Sequence, residues 1–128
     1  MIHISEEEFE DLVRQSVESI PDRFRSHLNN VAFMVADEPS SGQRRSNKKL
    51  HTGEEVLLGL YEGIPLPARN DGYNGVMPDV ITIFRHAHEI VCQNQAELAA
   101  QVHETVWHEV AHYFGLDHGQ IDALEAGA

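Results

Sequence analysis

The chain has 128 residues, of which 41% are hydrophobic, and this length and composition predict a single folded domain over residues 1–128. Its formal charge of −12 argues against nucleic acid and anionic membranes as partners. With one cysteine, Cys92, no signal-peptide pattern and no apolar segment of about 18 residues, we expect a cytoplasmic protein without internal disulfides or membrane spans.

The first helix signal follows Ser5, which forms a capping box with Glu8 three residues later. Apolar residues then recur at helical spacing until Pro21 breaks the pattern. The residues of this apolar face are Phe9, Leu12, Val13, Val17 and Ile20. The pattern predicts a helix from about Glu6 to Ser19, with a short extra turn near residues 22–28.

Three short apolar runs predict strands at Val31–Val35, Glu55–Tyr61 and Val80–Phe84. The third run is nearly unbroken and β-branched, so we expect a central strand that is buried on both faces. The stretch Val56–Tyr61 is then the predicted edge of the sheet. Residues 39–53 are polar and carry four of the nine basic residues, which predicts a flexible basic loop; a substrate-facing or regulatory role is the alternative.

The last helix carries the longest periodic pattern. Asn94 is a candidate N-cap with Glu97 three residues later, and Gly115 ends the pattern because glycine readily adopts the left-handed conformation. The predicted core positions are Leu98, Val102, Val106, Val110 and Phe114. A short helix is predicted around His86–Cys92, and one more turn at Ile121–Leu124.

Histidines cluster near the end of this predicted helix. Because residues four apart share a helix face, His108 and His112 are expected to bind one zinc ion from the same side. Gly115 permits a sharp turn that returns His118 to the metal as the third ligand. Three protein ligands leave one coordination position open, as in catalytic zinc sites, and Glu109 beside them is a candidate general base.

Other residues near this motif leave alternatives open. Two histidines on a helix also occur by chance, but the added glycine and third histidine make the pattern far more specific. Asp117 is an alternative third ligand to His118. His103 is expected on the surface or beside the ligands, and His86 and His88 are interpreted as ordinary polar residues, with a place in the cleft as the alternative. Three imidazoles also suit nickel or iron.

The string from His108 to His118 matches the zinc signature of the metzincin metallopeptidases, although no methionine follows it as in that group. The chain resembles the small bacterial minimal zincins, a zincin-like metallopeptidase family, more closely. The likeness runs through Ser5–Leu12, Val31–Pro39, Leu58–Leu66, Pro78–Arg85 and His108–His118. The resemblance implies an α+β zincin-like core, in which a small mixed β-sheet packs on an N-terminal helix and a C-terminal active-site helix. It also implies peptidase activity.

These expectations combine into one mechanism and two alternatives. The chain is expected to be a zinc metallopeptidase that hydrolyses peptide bonds through a zinc-activated water, with Glu109 as general base. Its substrate would be a peptide or protein lying extended along the sheet edge, and Tyr61 or Tyr73 is a candidate for stabilising the oxyanion. A non-catalytic zinc-binding module is one alternative. The other is a metal-dependent RNA-processing hydrolase, which would need a basic path for phosphates.

Overall fold

Helices flank a small sheet in the computed structural model, which describes residues 1–46, 56–64, 68–69 and 78–116. The strands in these ranges are β1 (Val31–Ala36), β2 (Gly59–Glu62) and β3 (Asp79–Phe84). The helices are α1 (Glu6–Glu18), α2 (Asp22–Arg25), α3 (Ser41–Ser46), α4 (Arg85–Val91) and α5 (Gln95–Tyr113). The predictions for residues 47–53, Tyr73, Asp117, His118 and 121–124 lie outside the described part of the chain.

The sheet is mixed, and β3 is its central strand. The order is β1-β3-β2, with β1 parallel to β3 and β2 antiparallel to it. The side chains of Ile81, Ile83 and Phe84 on β3 are fully buried, which is the environment that its unbroken apolar sequence predicts. The α+β fold class and the central position of the third strand are confirmed. Within the described residues, β2 forms one edge of the sheet.

The two long helices begin at the predicted caps and enclose the main core. The Glu8 amide donates to the Ser5 hydroxyl at 3.1 Å, and the Glu97 amide donates to the Asn94 side chain at 2.9 Å. The apolar faces of α1 and α5 contribute Phe9, Val13, Leu98, Val102, Val106 and Val110 to one buried cluster. Each such side chain contributes about 1.5–3 kcal/mol when it is fully buried. This cluster therefore anchors the helix that carries the histidine motif.

Residues 41–46 correct the prediction of a continuous basic loop, because they form the short helix α3. The Gln43 amide donates to the Ser40 hydroxyl at 3.1 Å, and the Ser40 amide donates to the Gln43 side chain at 2.9 Å. These reciprocal bonds are a capping box, which satisfies two donors that a helix start otherwise leaves unpaired. The signal was present in the sequence as Ser40 and Gln43, three residues apart, but the basic composition obscured it.

The remaining boundaries agree with the sequence to within a few residues. The strand β2 begins at Gly59, later than predicted, although the Phe84 amide still donates to the Leu58 carbonyl at 3.0 Å. Cys92 is buried, as expected of a small apolar side chain. Gly115 has φ +76° just after α5, which is the left-handed ending predicted for it. No helix in the described ranges is long and apolar enough to cross a bilayer.

Candidate metal centre

The last two turns of α5 bring together His108, Glu109 and His112. One potential ligand atom from each residue lies within 4.8 Å of the others, and the two imidazole centroids are 4.7 Å apart. This follows from helix geometry, because a separation of four residues returns the chain to the same face about 6 Å further along the axis. The predicted pair of imidazoles therefore shares one face with a carboxylate beside it.

Glu109 is buried, whereas His112 remains partly accessible. Their side chains are 8% and 37% exposed, and Nδ1 of His112 lies 3.1 Å from Oε1 of Glu109. The hydrogen bond to this carboxylate raises the pKa of His112, although partial burial of the imidazole opposes the increase. The carboxylate is thus held against the histidine pair in a region of low solvent access, where charge interactions are stronger than in water.

This donor set fits a zinc ion. Imidazole nitrogen and carboxylate oxygen are both common zinc ligands, and both bind zinc at about 2.0–2.2 Å. Nitrogen atoms that share a tetrahedral zinc at these bond lengths lie about 3.4 Å apart, which is within the spacing of this group. The predicted third ligand, His118, and its alternative, Asp117, lie outside the described residues, so the ligand set is described for two histidines only.

The strand β2 approaches α5 so closely that only glycine fits at the first position of the strand. A Cβ atom on Gly59 would lie 2.7 Å from Cγ2 of Thr105 and 3.2 Å from Cγ of Glu109. Contacts below 3.0 Å require one of the two elements to move. The missing side chain therefore lets the backbone of the edge strand lie directly beside Glu109.

A cleft of about 510 Å³ separates the rest of β2 from α5. Its strand wall is mostly apolar and its helix wall is polar. The strand wall consists of Val56, Leu57, Leu58, Gly59, Leu60 and Tyr61, and the helix wall of Gln101, Glu104, Thr105, His108, Glu109 and His112. We call this the metal cleft. Its described lining contains carboxylates but neither lysine nor arginine.

Three residues of the helix wall were not singled out from the sequence. Gln101, Glu104 and Thr105 precede His108 by seven, four and three residues, so they occupy the same helix face. Extending the periodicity of the histidine pair back by two turns would have found them. Strand residues of the cleft could not be assigned this way, because their approach to α5 depends on tertiary packing.

Similarity to known proteins agrees with this geometry. The sequence profile of the zincin-like metallopeptidase family matches residues 28–128. The chain belongs to this family. This zincin-like chain is also similar in fold to a solved conserved hypothetical protein from Thermo thermophilus, with 21% identity, a TM-score of 0.54 and coverage of 97% of this chain and 100% of the other. No curated protein matches it. Membership implies a bound metal, usually zinc, as the donor set also indicates.

His88 of this zincin-like chain corrects another expectation, because it is not an ordinary polar residue. Its side chain is fully buried, with Nδ1 2.7 Å from the Phe84 carbonyl and Nε2 3.0 Å from the Thr105 hydroxyl. Burial lowers the pKa of His88, while the bond to the Phe84 carbonyl opposes that shift. Through these two contacts the buried ring of His88 links the end of β3 to the cleft wall at Thr105.

The hydroxyl of Tyr61 is already engaged in a hydrogen bond. It donates to Oδ2 of Asp79 at 2.5 Å, and Arg69 donates to the same oxygen at 2.7 Å. Burial, reinforced by the hydrogen bond to Asp79, raises the pKa of Tyr61. A phenol has one hydrogen to donate, so in this conformation Tyr61 cannot also donate to an oxyanion. Its predicted role would require the bond to Asp79 to break.

Tyr113, which follows His112, fixes the end of α5. Its hydroxyl donates to the His27 carbonyl at 3.1 Å and accepts from the Asn29 amide at 3.0 Å. The Arg69 guanidinium also lies over its ring, 5.0 Å from the centroid. These contacts tie the turn that contains His112 to the segment before β1. No sequence signal marked Tyr113, because its partners are more than 40 residues away.

Proposed function

We propose that this chain is a zinc-dependent metallopeptidase, and that Glu109 is its general base. The observation that carries the proposal is the juxtaposition of two half-buried imidazoles, a buried carboxylate and an open cleft on one side of α5. Membership of the zincin-like family supports the same reaction class. His118 would complete the ligand set as the third protein ligand.

The chemistry divides between the metal and the carboxylate. When bound by His108 and His112, zinc supplies the Lewis acidity that makes water nucleophilic at neutral pH. Oε1 of Glu109 is bonded to His112, whereas Oε2 has no hydrogen-bond partner among the described residues. Oε2 is therefore the atom that takes a proton from the attacking water and returns it to the departing amine.

Within the described sheet, the outer edge of β2 is suited to hold an extended peptide. In an antiparallel ladder, alternate residues direct both N–H and C=O toward the neighbouring strand. The hydrogen bond from the Phe84 amide to the Leu58 carbonyl shows which residues alternate in this way. The backbone N–H and C=O groups of Leu58, Leu60 and Glu62 point toward β3. Gly59 and Tyr61 then direct their N–H and C=O groups outward. A peptide paired with these groups would pass beside Glu109.

The cleft favours this function over the RNA-processing alternative. A nuclease needs cations along the path of the phosphates, but the described lining of the metal cleft contributes Glu104 and Glu109 and neither lysine nor arginine. The net charge of −12 also disfavours the binding of a polyphosphate chain. A cleft of about 510 Å³ beside the histidines also favours substrate binding over a purely structural metal site.

The decisive variant is Glu109→Gln. It removes the base but preserves the size of the side chain, so the protein should retain zinc while peptide hydrolysis falls by about 10²–10⁴-fold. Metal content measured by elemental analysis and cleavage of a mixed peptide library would be compared with wild type. Glu18→Gln, an exposed change of the same charge at the end of α1, is the matched control and should behave as wild type.

Three outcomes separate the candidate functions. Full activity in zinc-loaded Glu109→Gln would remove the assigned base. A zinc-loaded wild type that cleaves no peptide would favour the non-catalytic module, and RNA cleavage would favour the nuclease. The variant His112→Ala should lose zinc, because it removes one of two imidazoles from the shared face.

A further inference from the structure

A second hollow continues the metal cleft beyond the start of β2. It has a volume of about 280 Å³, and it shares Val56 and Leu57 with the cleft. We call it the distal hollow. Its apolar lining consists of Pro39, Val56, Leu57, Ala87 and Ile90. Because Val56 and Leu57 line both cavities, the hollow adjoins the end of the cleft that precedes β2.

The floor of the distal hollow is apolar and firmly packed. Leu57 and Ala87 are buried, and together with Phe84 they form an apolar cluster separate from the main core. At the mouth, Val56 and Ile90 are large apolar side chains that remain 37% and 54% exposed. Covering such surface with an apolar group is favourable by about 25 cal/mol per Å². The hollow is therefore chemically suited to an aliphatic or aromatic side chain.

The charged groups around its rim already have partners. Arg85 is paired with Asp37 at 2.8 Å, and Arg44 lies 3.8 Å from Glu38. His86 bonds to Glu89, which lies outside the hollow, at 2.7 Å. A charged ligand would have to compete with these pairs, whereas an apolar ligand leaves them intact. The rim thus favours an uncharged occupant.

The distance between the metal centre and the distal hollow determines which substrate residue reaches the hollow. Gly59 lies beside Glu109, and Val56 precedes it by three residues. Extended chain rises about 3.3 Å per residue, so the hollow begins about 10 Å from the proposed site of cleavage. Antiparallel pairing, the slightly more stable arrangement, directs the C-terminal side of a substrate toward Val56.

We infer that the distal hollow is a specificity site for an apolar substrate side chain three or four residues after the cleaved bond. Ile90 is its specificity-determining residue, because it lines the mouth and is the most exposed apolar side chain there. The inference rests on the proposed peptidase function for its substrate class. It adds a requirement on substrate length and sequence that the metal centre alone does not impose.

The experiment is a scan with leucine. Peptides of one sequence, otherwise alanine-rich, carry a single leucine at each of the five positions on either side of the cleaved bond. The zinc-loaded wild type should show about tenfold higher kcat/KM when leucine is third or fourth after the bond. Ile90→Ser should remove most of this preference. The neighbouring Val91→Ser is the matched control, because Val91 is 41% exposed but does not line the hollow.

A binding measurement separates failure of this site from failure of the proposed reaction. Fluorescence anisotropy with labelled peptides and the Glu109→Gln protein should show the same preference for leucine, again lost on Ile90→Ser. If no peptide is cleaved but this preference appears, the hollow stands and the hydrolytic function falls. Cleavage without a preference at these positions, a preference on the N-terminal side, or equal effects of Ile90→Ser and Val91→Ser would overturn the inference.

Discussion

The two ends of β2 hold polar groups in opposite ways. At the C-terminal end of β2, Asp79 of the neighbouring strand β3 accepts hydrogen bonds from Tyr61 and Arg69. The side chains of Arg69 and Asp79 are only 7% and 4% exposed. At the first residue of β2, Gly59, the neighbouring Glu109 faces a cleft of about 510 Å³. Polar groups that satisfy one another inside the protein define its structure. Polar groups that line a cleft remain able to act on a ligand.

Neutralising Asp79 should have the largest effect on stability. Asp79→Asn removes the negative charge that lies 2.7 Å from the buried guanidinium of Arg69, so the free energy of unfolding should fall by about 3–5 kcal/mol. Urea unfolding would measure the change. The control is Asp22→Asn, which breaks an ion pair to Arg25 on the surface, where Asp22 is 89% exposed, and should cost at most about 0.5 kcal/mol. Equal losses in the two variants would contradict the contrast.

Adding one methyl group at the other end of β2 should lower both activity and stability. Gly59→Ala forces the strand away from Thr105 and Glu109, which should lower peptidase kcat/KM by up to about 100-fold and the free energy of unfolding by about 1–3 kcal/mol. Steady-state kinetics and urea unfolding test both. Gly42→Ala is the control, since its nearest neighbour, Oγ of Ser40, would be 3.9 Å away.

The source of the Gly59→Ala defect can be checked by a second change. Thr105→Ser deletes Cγ2, the atom that the new methyl group would meet at 2.7 Å, and retains the hydroxyl near His88. The double variant should recover part of the lost activity. A double variant no better than Gly59→Ala would show that the close approach of strand and helix is not what the glycine protects.

The smallest expected effect concerns the contribution of Glu89 to stability at low pH. Like Asp79, Glu89 is a buried carboxylate that is bonded to other groups of the protein. Burial opposes its ionisation, but bonds from His86 and the Ile4 amide, aided by Arg85, lower its pKa below 4.5. Its contribution is therefore present above about pH 4.5 and is lost as the pH falls through the lowered value. At neutral pH the free energy of unfolding of the wild type should exceed that of Glu89→Gln by about 1–2 kcal/mol. Exposed Glu7→Gln is the control, and urea titrations that show a constant gap down to pH 2 would refute the linkage.

Local signals made the helical part of this molecule predictable. The caps at Ser5 and Asn94 and the glycine at position 115 are found where the sequence placed them. The pairing of His108 with His112 likewise requires only helix periodicity. The central strand was predictable because burial on both faces leaves a nearly continuous apolar run. These features depend on neighbours within a few positions, which a single sequence contains.

The missed features depend on distant partners. The buried position of His88 results from its location between α1 and α5, with Thr105 17 residues away. Arg69 and Asp79 are ten residues apart and do not share a helix or a strand, so their pairing has no periodic signature. The cleft wall at Gly59 was unpredictable for the same reason: its contact with Glu109 spans 50 residues. Two local signals were overlooked: the capping box at Ser40, and the helix periodicity that places Gln101, Glu104 and Thr105 on the face of His108.

The burial of one side of α5 has a consequence for how the metal arrives. Val106 and Val110 are inaccessible, and the Tyr113 hydroxyl anchors the terminal turn, so protein packing holds the helix between His108 and His112 in place. Conformational entropy lost in ordering these residues belongs to folding and not to ligation. In the proposed function, coordination would begin from imidazoles that folding has already ordered, and loss of the ion would leave the helix intact.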